Sequence, residues 1–367
     1  MSIVSLVVAV ASCGSHSPTP ATTAAAIPEE PAAVPLVTST DGRVVLVTLD
    51  GARWQDVFDA GIMSRTAEIV AKSGIAFGAD APRGASCGIV RTASGANVSL
   101  PGYLEIFTGR ATSCADNACA PIEEPTLLDA AATSVPGAVA SIGSWEMLDR
   151  AVSNGSSRAV VATGRRAWPG ARLTAGGRLD TLVGEGLRAN AYPGVGAYRP
   201  DTHTAAIALE YFRVATPVFL HVGLGDMDEW AHRGDHAAYV GAMRDADAFI
   251  GELADTLASM GAIGARTTVI VTADHGRNAD FRHHGPAHPE SARVFVIAFG
   301  ARVEHRGVSC APRDLTLADV APTIRVLLGL EATEASLDRG RPIDGIVARE
   351  PRYLTGARAS EGAAQRP

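Results

Sequence analysis

Positive charge is not in excess in this sequence. The chain has 32 Lys and Arg against 39 Asp and Glu, a formal net charge of -7. That balance excludes the electrostatic footprint of a protein that wraps nucleic acid, although a local basic pocket can still hold one phosphate. Internal repeats are also missing, which excludes solenoids and propellers. A membrane-spanning start is excluded too: the opening run MSIVSLVVAVASC is apolar but shorter than the ~20 residues a mature spanning helix needs. What remains is ample for a large core, since 367 residues are 47% hydrophobic and an ordinary 19% charged.

The opening run ends in small residues before Cys13 and reads as a signal peptide over 1–12. Val10-Ala11-Ser12-Cys13 resembles a bacterial lipobox, in which the cysteine becomes the lipidated first residue, although this n-region contains neither Lys nor Arg. The expected location is therefore periplasmic or cell-surface, with membrane contact through a lipidated Cys13. Setting Cys13 aside leaves Cys87, Cys114, Cys119 and Cys310, an even set in an exported chain, for which three pairings can be drawn. Cys114 and Cys119 are near enough in sequence to close a small loop, and this pairing leaves Cys87 with Cys310.

Residues 14–42 are rich in Pro, Ala, Thr and Ser without hydrophobic periodicity and read as a disordered tether running from Cys13. The folded domain is expected over 43–350, followed by a tail over 351–367. From Arg43 onward, short apolar runs end at Asp50, Gly143, Asp226, Asp274 and Gly300. Their length and Val/Ile content fit parallel strands buried on both faces. Helical spacing appears between them, as in Ala238 to Leu257, where Val240, Met243, Ala246, Ile250, Leu253 and Leu257 share one side. The expected fold class is α/β, with a mostly parallel central sheet and helices on both faces. The Gly/Arg-rich stretch 153–199 lacks clear periodicity and is expected as an inserted cap.

Sites in such sheets lie beyond the carboxyl ends of the strands. Three runs end at or just before acidic residues: Asp50, the pair Asp226 and Asp228, and Asp274. Asp228 and His232 are four apart and share a face if the segment is helical. Asp274 and His275 are adjacent, and His283, His284 and His288 follow, so four of the ten histidines lie between 275 and 288. Imidazole nitrogen and carboxylate oxygen are the ligands that zinc accepts, and this clustering points to a metal site.

With these residues in hand, the sequence resembles the alkaline phosphatase superfamily, particularly its nucleotide pyrophosphatase/phosphodiesterase-like branch and related bacterial proteins. Val45 to Gly51 is similar to the family's first strand and metal-binding Asp. Ser99-Leu100-Pro101-Gly102-Tyr103, with Thr108-Gly109-Arg110 beyond, is similar to the nucleophile segment and its helix. Asp228-Glu229-Trp230-Ala231-His232, Ala273-Asp274-His275-Gly276 and His284-Gly285 match its ligand motifs in order. Asp319 to Leu330 resembles its closing helix.

The resemblance implies an alkaline phosphatase-like fold and two divalent metal ions, most readily Zn2+. Asp228, His232 and His284 would hold one; Asp50, Asp274 and His275 would hold the other together with the oxygen of the nucleophile Ser99. His288 is the alternative to His284, and Asp226 the second choice to Asp228. Pro101 suits the first turn of a helix, which would place Ser99 at an anion-favouring N-terminus. Asn117 corresponds to an Asn that contacts a phosphate oxygen in the diesterase-like branch, and a Cys114–Cys119 bridge would help hold it. Arg53, Arg165, Arg166 and Trp168 are further candidate contacts.

The activity implied is hydrolysis of a small phosphate monoester or diester through a covalent phosphoserine. Three other readings compete. A sulfatase-like hydrolase would carry Arg where Tyr103 stands. A phosphoglycerate mutase suits an exported, disulfide-bonded chain poorly. A catalytically silent surface lipoprotein would keep the fold for binding alone.

Overall fold

The computed structural model describes residues 41–83, 85–166, 177–330 and 340–347. The signal peptide, Cys13, nearly all of the tether, Trp168 and the 351–367 tail lie outside the described residues, all of which belong to the compact unit Leu36–Pro367.

The sheet begins with β1 (Arg43–Leu49), whose residues from Val44 onward are all buried. Side chains alternate between the two faces of a strand, so this unbroken burial means that both faces are covered. The other strands are β2 (Gly74–Phe77), β3 (Val90–Arg91), β4 (Val139–Gly143), β5 (Val160–Thr163), β6 (Phe219–Leu224), β7 (Thr267–Thr272), β8 (Val296–Gly300), β9 (Gly307–Val308) and β10 (Leu315–Thr316). Eight form one sheet in the order β5-β4-β6-β1-β7-β8-β2-β9, and β10 pairs with β3 separately.

The registers of β1 with β6 and β7, and of β4 with β5 and β6, are parallel. Strand β8 differs from expectation: it runs antiparallel to both β7 and β2. A parallel return needs a crossover, usually helical, whereas the chain between β7 and β8 carries only the short 3-10 turn Pro289–Ala292 and folds straight back.

Helices of seven or more residues are α1 (Ser64–Ser73), α2 (Ser99–Thr108), α3 (Leu127–Ser134), α4 (Arg178–Arg188), α5 (Asp201–Ala215), α6 (Asp226–His232), α7 (His236–Ser259) and α8 (Val320–Leu327). Helix α7 contains the expected Ala238–Leu257 segment, and Asp235 caps it by accepting from the Ala238 N–H at 3.0 Å. The 153–199 stretch departs from a simple cap, because Val160–Thr163 is β5, paired in parallel with β4 at the sheet edge. Its four-residue run is too short to stand out against the Gly/Arg-rich composition around it.

Both disulfides are present, Cys87–Cys310 and Cys114–Cys119. Among the described residues no helix is long and apolar enough to cross a membrane.

Candidate metal centre and nucleophile

Strand β1 lies between β6 and β7, so the carboxyl ends of three neighbouring strands deliver Asp50, Asp228 and the pair Asp274 and His275 to one edge. The chain turns at Gly51, φ 64°, and the Gly51 N–H donates to Asp274 Oδ1 at 3.1 Å. Helix α2 brings its first residue, Ser99, onto this edge. Ser99 is buried, and its Oγ lies 3.3 Å from Asp50 Oδ1 and 3.3 Å from His275 Nε2. Gly102 permits the approach, since a Cβ there would overlap the Asp274 carbonyl oxygen.

The loop entering α2 is fastened from below. The buried Glu105 accepts from the Ala93 and Ser94 N–H groups, both at 2.6 Å. Asn97 takes a left-handed conformation, φ 52°, and its Oδ1 accepts from Thr92 Oγ1 at 2.7 Å. Asn117 lies at the same helix end, where its Oδ1 accepts from the Leu100 N–H at 2.8 Å. Its oxygen is thus committed to the helix, and Nδ2 is the side that can donate to a bound anion.

A second group adjoins the first. Asp228 Oδ2 and His232 Nε2 are 3.0 Å apart, and His232 Nε2 and His284 Nε2 are 3.1 Å apart. His284 Nδ1 faces the Asn97 carbonyl at 2.9 Å and His275 Nδ1 faces that of Gly276 at 2.9 Å. Each Nδ1 therefore carries the proton and donates it, so each Nε2 presents a lone pair to the cluster. His275 was expected with Asp50 and Asp274 alone, yet it stands between the groups. Its Nε2 is 3.5 Å from Asp50 Oδ1, 3.6 Å from Asp274 Oδ2 and 3.8 Å from Asp228 Oδ1, and its ring stacks on that of His284 at 4.1 Å.

Electrostatics separate the three carboxylates. Burial, then the neighbouring Asp274 and Asp228, push Asp50 well above the usual carboxylate range. Burial and the Asp228 charge push Asp274 up to about 8. Burial would raise Asp228 as well, but Arg277 and His232 outweigh it and hold that carboxyl well below the usual range. Burial lowers His275 and, less strongly, His284, so both rings stay neutral.

These features fit divalent cations. Asp274 Oδ2 is fully buried and has no hydrogen-bond partner, and like-charged carboxylates lie side by side without enough compensating charge. Ligand atoms converge in two overlapping sets, Asp50 with Asp274 and His275, and Asp228 with His275 and His284. His232, half-exposed, lies at the rim of the second set, beside Asp228 and His284.

The remaining candidates are engaged with other partners. Asp226 instead accepts from the Tyr198 hydroxyl at 2.7 Å and from the Asp201 N–H at 3.2 Å. His288 stacks on His283 at 5.3 Å, whereas His284 is the histidine whose ligand atom converges with those of Asp228 and His275. Arg53 pairs with Asp56, Arg166 with Asp149, and Arg165 donates to the Ala189 and Gly196 carbonyls.

Sequence reasoning missed four contributors. Arg277 is buried against Asp228. Tyr103 donates its hydroxyl to Asp50 Oδ2 at 3.3 Å. Asp201 accepts from the Gly225 and Asp226 N–H groups, both at 2.8 Å, at the entry to α6. Gly102 admits α2. For Arg277 a signal existed, since it directly follows the Asp-His-Gly motif; Asp201 offered none, because its partners come from a distant segment.

Comparison with known proteins agrees with this architecture. Residues 173–332 match the family described as the Metalloenzyme superfamily. No curated protein matches the chain in sequence. Among solved structures, an alkaline phosphatase superfamily protein from Vibrio parahaemolyticus is similar at 15% identity and a TM-score of 0.57, covering 84% of this chain and 71% of that one. A 2-O GAG sulfatase is similar at 14% identity and a TM-score of 0.54, covering 85% and 75%. The lipoteichoic acid synthase LtaP from Listeria monocytogenes is similar at 11% identity and a TM-score of 0.54, covering 86% and 80%. At these identities the likeness is one of fold. By its fold the chain is alkaline phosphatase-like, and over 173–332 it is similar to the metalloenzyme superfamily.

Proposed function

We propose that this protein is a metal-dependent hydrolase of small phosphate esters, monoester or diester, that works through a covalent phosphoserine on Ser99. The observation that carries this is the placement of the Ser99 hydroxyl, at the N-terminus of α2 and 3.3 Å from both Asp50 Oδ1 and His275 Nε2. A serine is a weak nucleophile unless it is activated, and a helix N-terminus favours the anionic group it would attack.

Asp228, His232 and His284 would hold one divalent cation, and Asp50, Asp274 and His275, with Ser99 Oγ, the other; zinc suits this donor set. When bound, the cations lower the pKa of the attacking hydroxyl and offset charge on the attacking and leaving oxygens. The protein's own part is positional. Ser99 gives up its O–H proton, which passes through solvent to the departing ester oxygen, and forms an O–P bond as that oxygen leaves opposite as the alcohol. Water then cleaves the O–P bond, returning a proton to the Ser99 oxygen and releasing phosphate from a monoester or the phosphate monoester from a diester. Asn117 Nδ2 and the α2 N-terminus orient the non-bridging oxygens.

The likeness to a 2-O GAG sulfatase favours a second reading, sulfate ester hydrolysis. Tyr103 supports the phosphate reading, since it stands where the sulfatase motif resembles Arg and is spent on Asp50. Zinc-loaded protein assayed on p-nitrophenyl phosphate, bis-p-nitrophenyl phosphate and p-nitrophenyl sulfate separates them: the phosphate esters should turn over, and a preference for the sulfate would defeat the proposal. Export as a lipoprotein through Cys13 belongs to the same proposal, supported by two disulfides, which persist in oxidising compartments. Labelling with a fatty-acid analogue should mark wild type and fail to mark Cys13→Ser.

A further inference from the structure

Arg277 is among the largest fully buried side chains of the molecule, and it lies within the candidate metal centre. One arm of its guanidinium, Nη2, donates to Asp228 Oδ1, and the other, Nη1, donates to the Arg282 carbonyl at 2.5 Å. Its Nε is buried without a partner. The side chain crosses over Gly51, where a Cβ would stand 2.5 Å from Asp228 Oδ1 and 2.9 Å from Arg277 Nε. Only a residue without a side chain leaves room for this pair.

The two arms join two separate pieces of chain. Asp228 and His232 sit on α6, whereas His284 follows the turn that Arg282 belongs to, closed by the Asn278 N–H donating to the His283 carbonyl at 2.8 Å. Oδ1, engaged by Arg277, lies 3.8 Å from His275 Nε2 and 3.9 Å from His284 Nε2, and the oxygen that Arg277 leaves unheld is Oδ2, 3.0 Å from His232 Nε2. His232 Nε2 is in turn 3.1 Å from His284 Nε2. Separations near 3 Å are close to the ~3.3 Å edge of a tetrahedron of ligands about 2.0 Å from a zinc ion.

We propose that Arg277 is a positioning residue that clamps Asp228 as a one-oxygen ligand and aligns it with His284, thereby setting the affinity of one of the two metal ions. The inference rests on the two-metal reading above. Two effects of its charge oppose each other: a cation beside a metal site repels the metal, while a fork that fixes a ligand pre-organises it. The fork dominates here, because its removal leaves a part-buried carboxylate oxygen and a part-buried carbonyl without the donor they share.

The test is zinc titration of the full-length protein against a chromogenic chelator, with thermal melting as a check on folding. Wild type should bind two ions. Arg277→Met should bind one ion as before and the other about 10–100-fold more weakly. Arg277→Lys, which keeps the charge but cannot bridge both acceptors, should show the same selective loss and serves if the Met variant does not fold. If repulsion dominated, the Met variant would bind zinc more tightly. Unchanged or tighter binding in either variant, with wild type fully loaded, overturns the clamp alone. Wild type that takes up no zinc overturns the two-metal reading and this inference with it.

Discussion

At the scale of single residues, the proposed mechanism divides the site into groups that hold charge and one group, Ser99, that reacts. Ser99→Ala removes the hydroxyl but leaves Asp50, Asp274 and His275 in place, so ester hydrolysis should fall about 10³-fold or more while metal content stays. Asp274→Asn should reduce both, with metal affinity falling more than about tenfold, since the orphaned Oδ2 is the oxygen most in need of a cation. Elemental analysis beside initial rates distinguishes the two outcomes; equal metal loss in both variants would contradict the division. The convergence of the Asp and His side chains was legible in sequence, because such residues clustered at strand ends are difficult to explain by packing. Arg277 had a signal in its place directly after the Asp-His-Gly motif, but its pairing with Asp228, 49 positions away, needed the fold.

At the scale of elements, what matters is how α2 and α6 are brought to the sheet edge. Gly102→Ala would push α2 away from the Asp274 backbone, and the overpacking should cost about 1–3 kcal/mol as well as activity. Asp201→Ala would leave the Gly225 and Asp226 N–H groups unsatisfied at the entry to α6, with a similar loss of about 1–3 kcal/mol. Denaturant melts of both variants measure these costs, and wild-type stability in either would show that the contact is dispensable. The long strands were readable from unbroken apolar runs buried on both faces. The direction of β8 was not, because burial on both faces is the same for parallel and antiparallel neighbours. Strand β5 and the two-residue strands were too short to carry a pattern.

At the scale of the whole molecule, Cys87–Cys310 closes a loop across a sequence separation of 223, whereas Cys114–Cys119 spans only 5. In the chain-entropy account the long closure contributes about 5 kcal/mol and the short one about 2 kcal/mol. Replacing Cys87 and Cys310 with Ser should therefore lower the melting temperature more than replacing Cys114 and Cys119. The short bridge should matter instead for activity, through Asn117 at the start of α2. The reverse order of melting temperatures would contradict this assignment.

The central claim is that Ser99 is a metal-assisted nucleophile toward phosphorus, and one comparison tests it most directly. Zinc-loaded wild type and zinc-loaded Ser99→Ala are assayed side by side for release of p-nitrophenol from the phosphate and the sulfate esters. Wild type should hydrolyse the phosphate ester and little of the sulfate ester, and the variant should lose nearly all activity at unchanged zinc content. Phosphate ester hydrolysis by Ser99→Ala at the wild-type rate, or turnover of the sulfate ester alone, would contradict that claim.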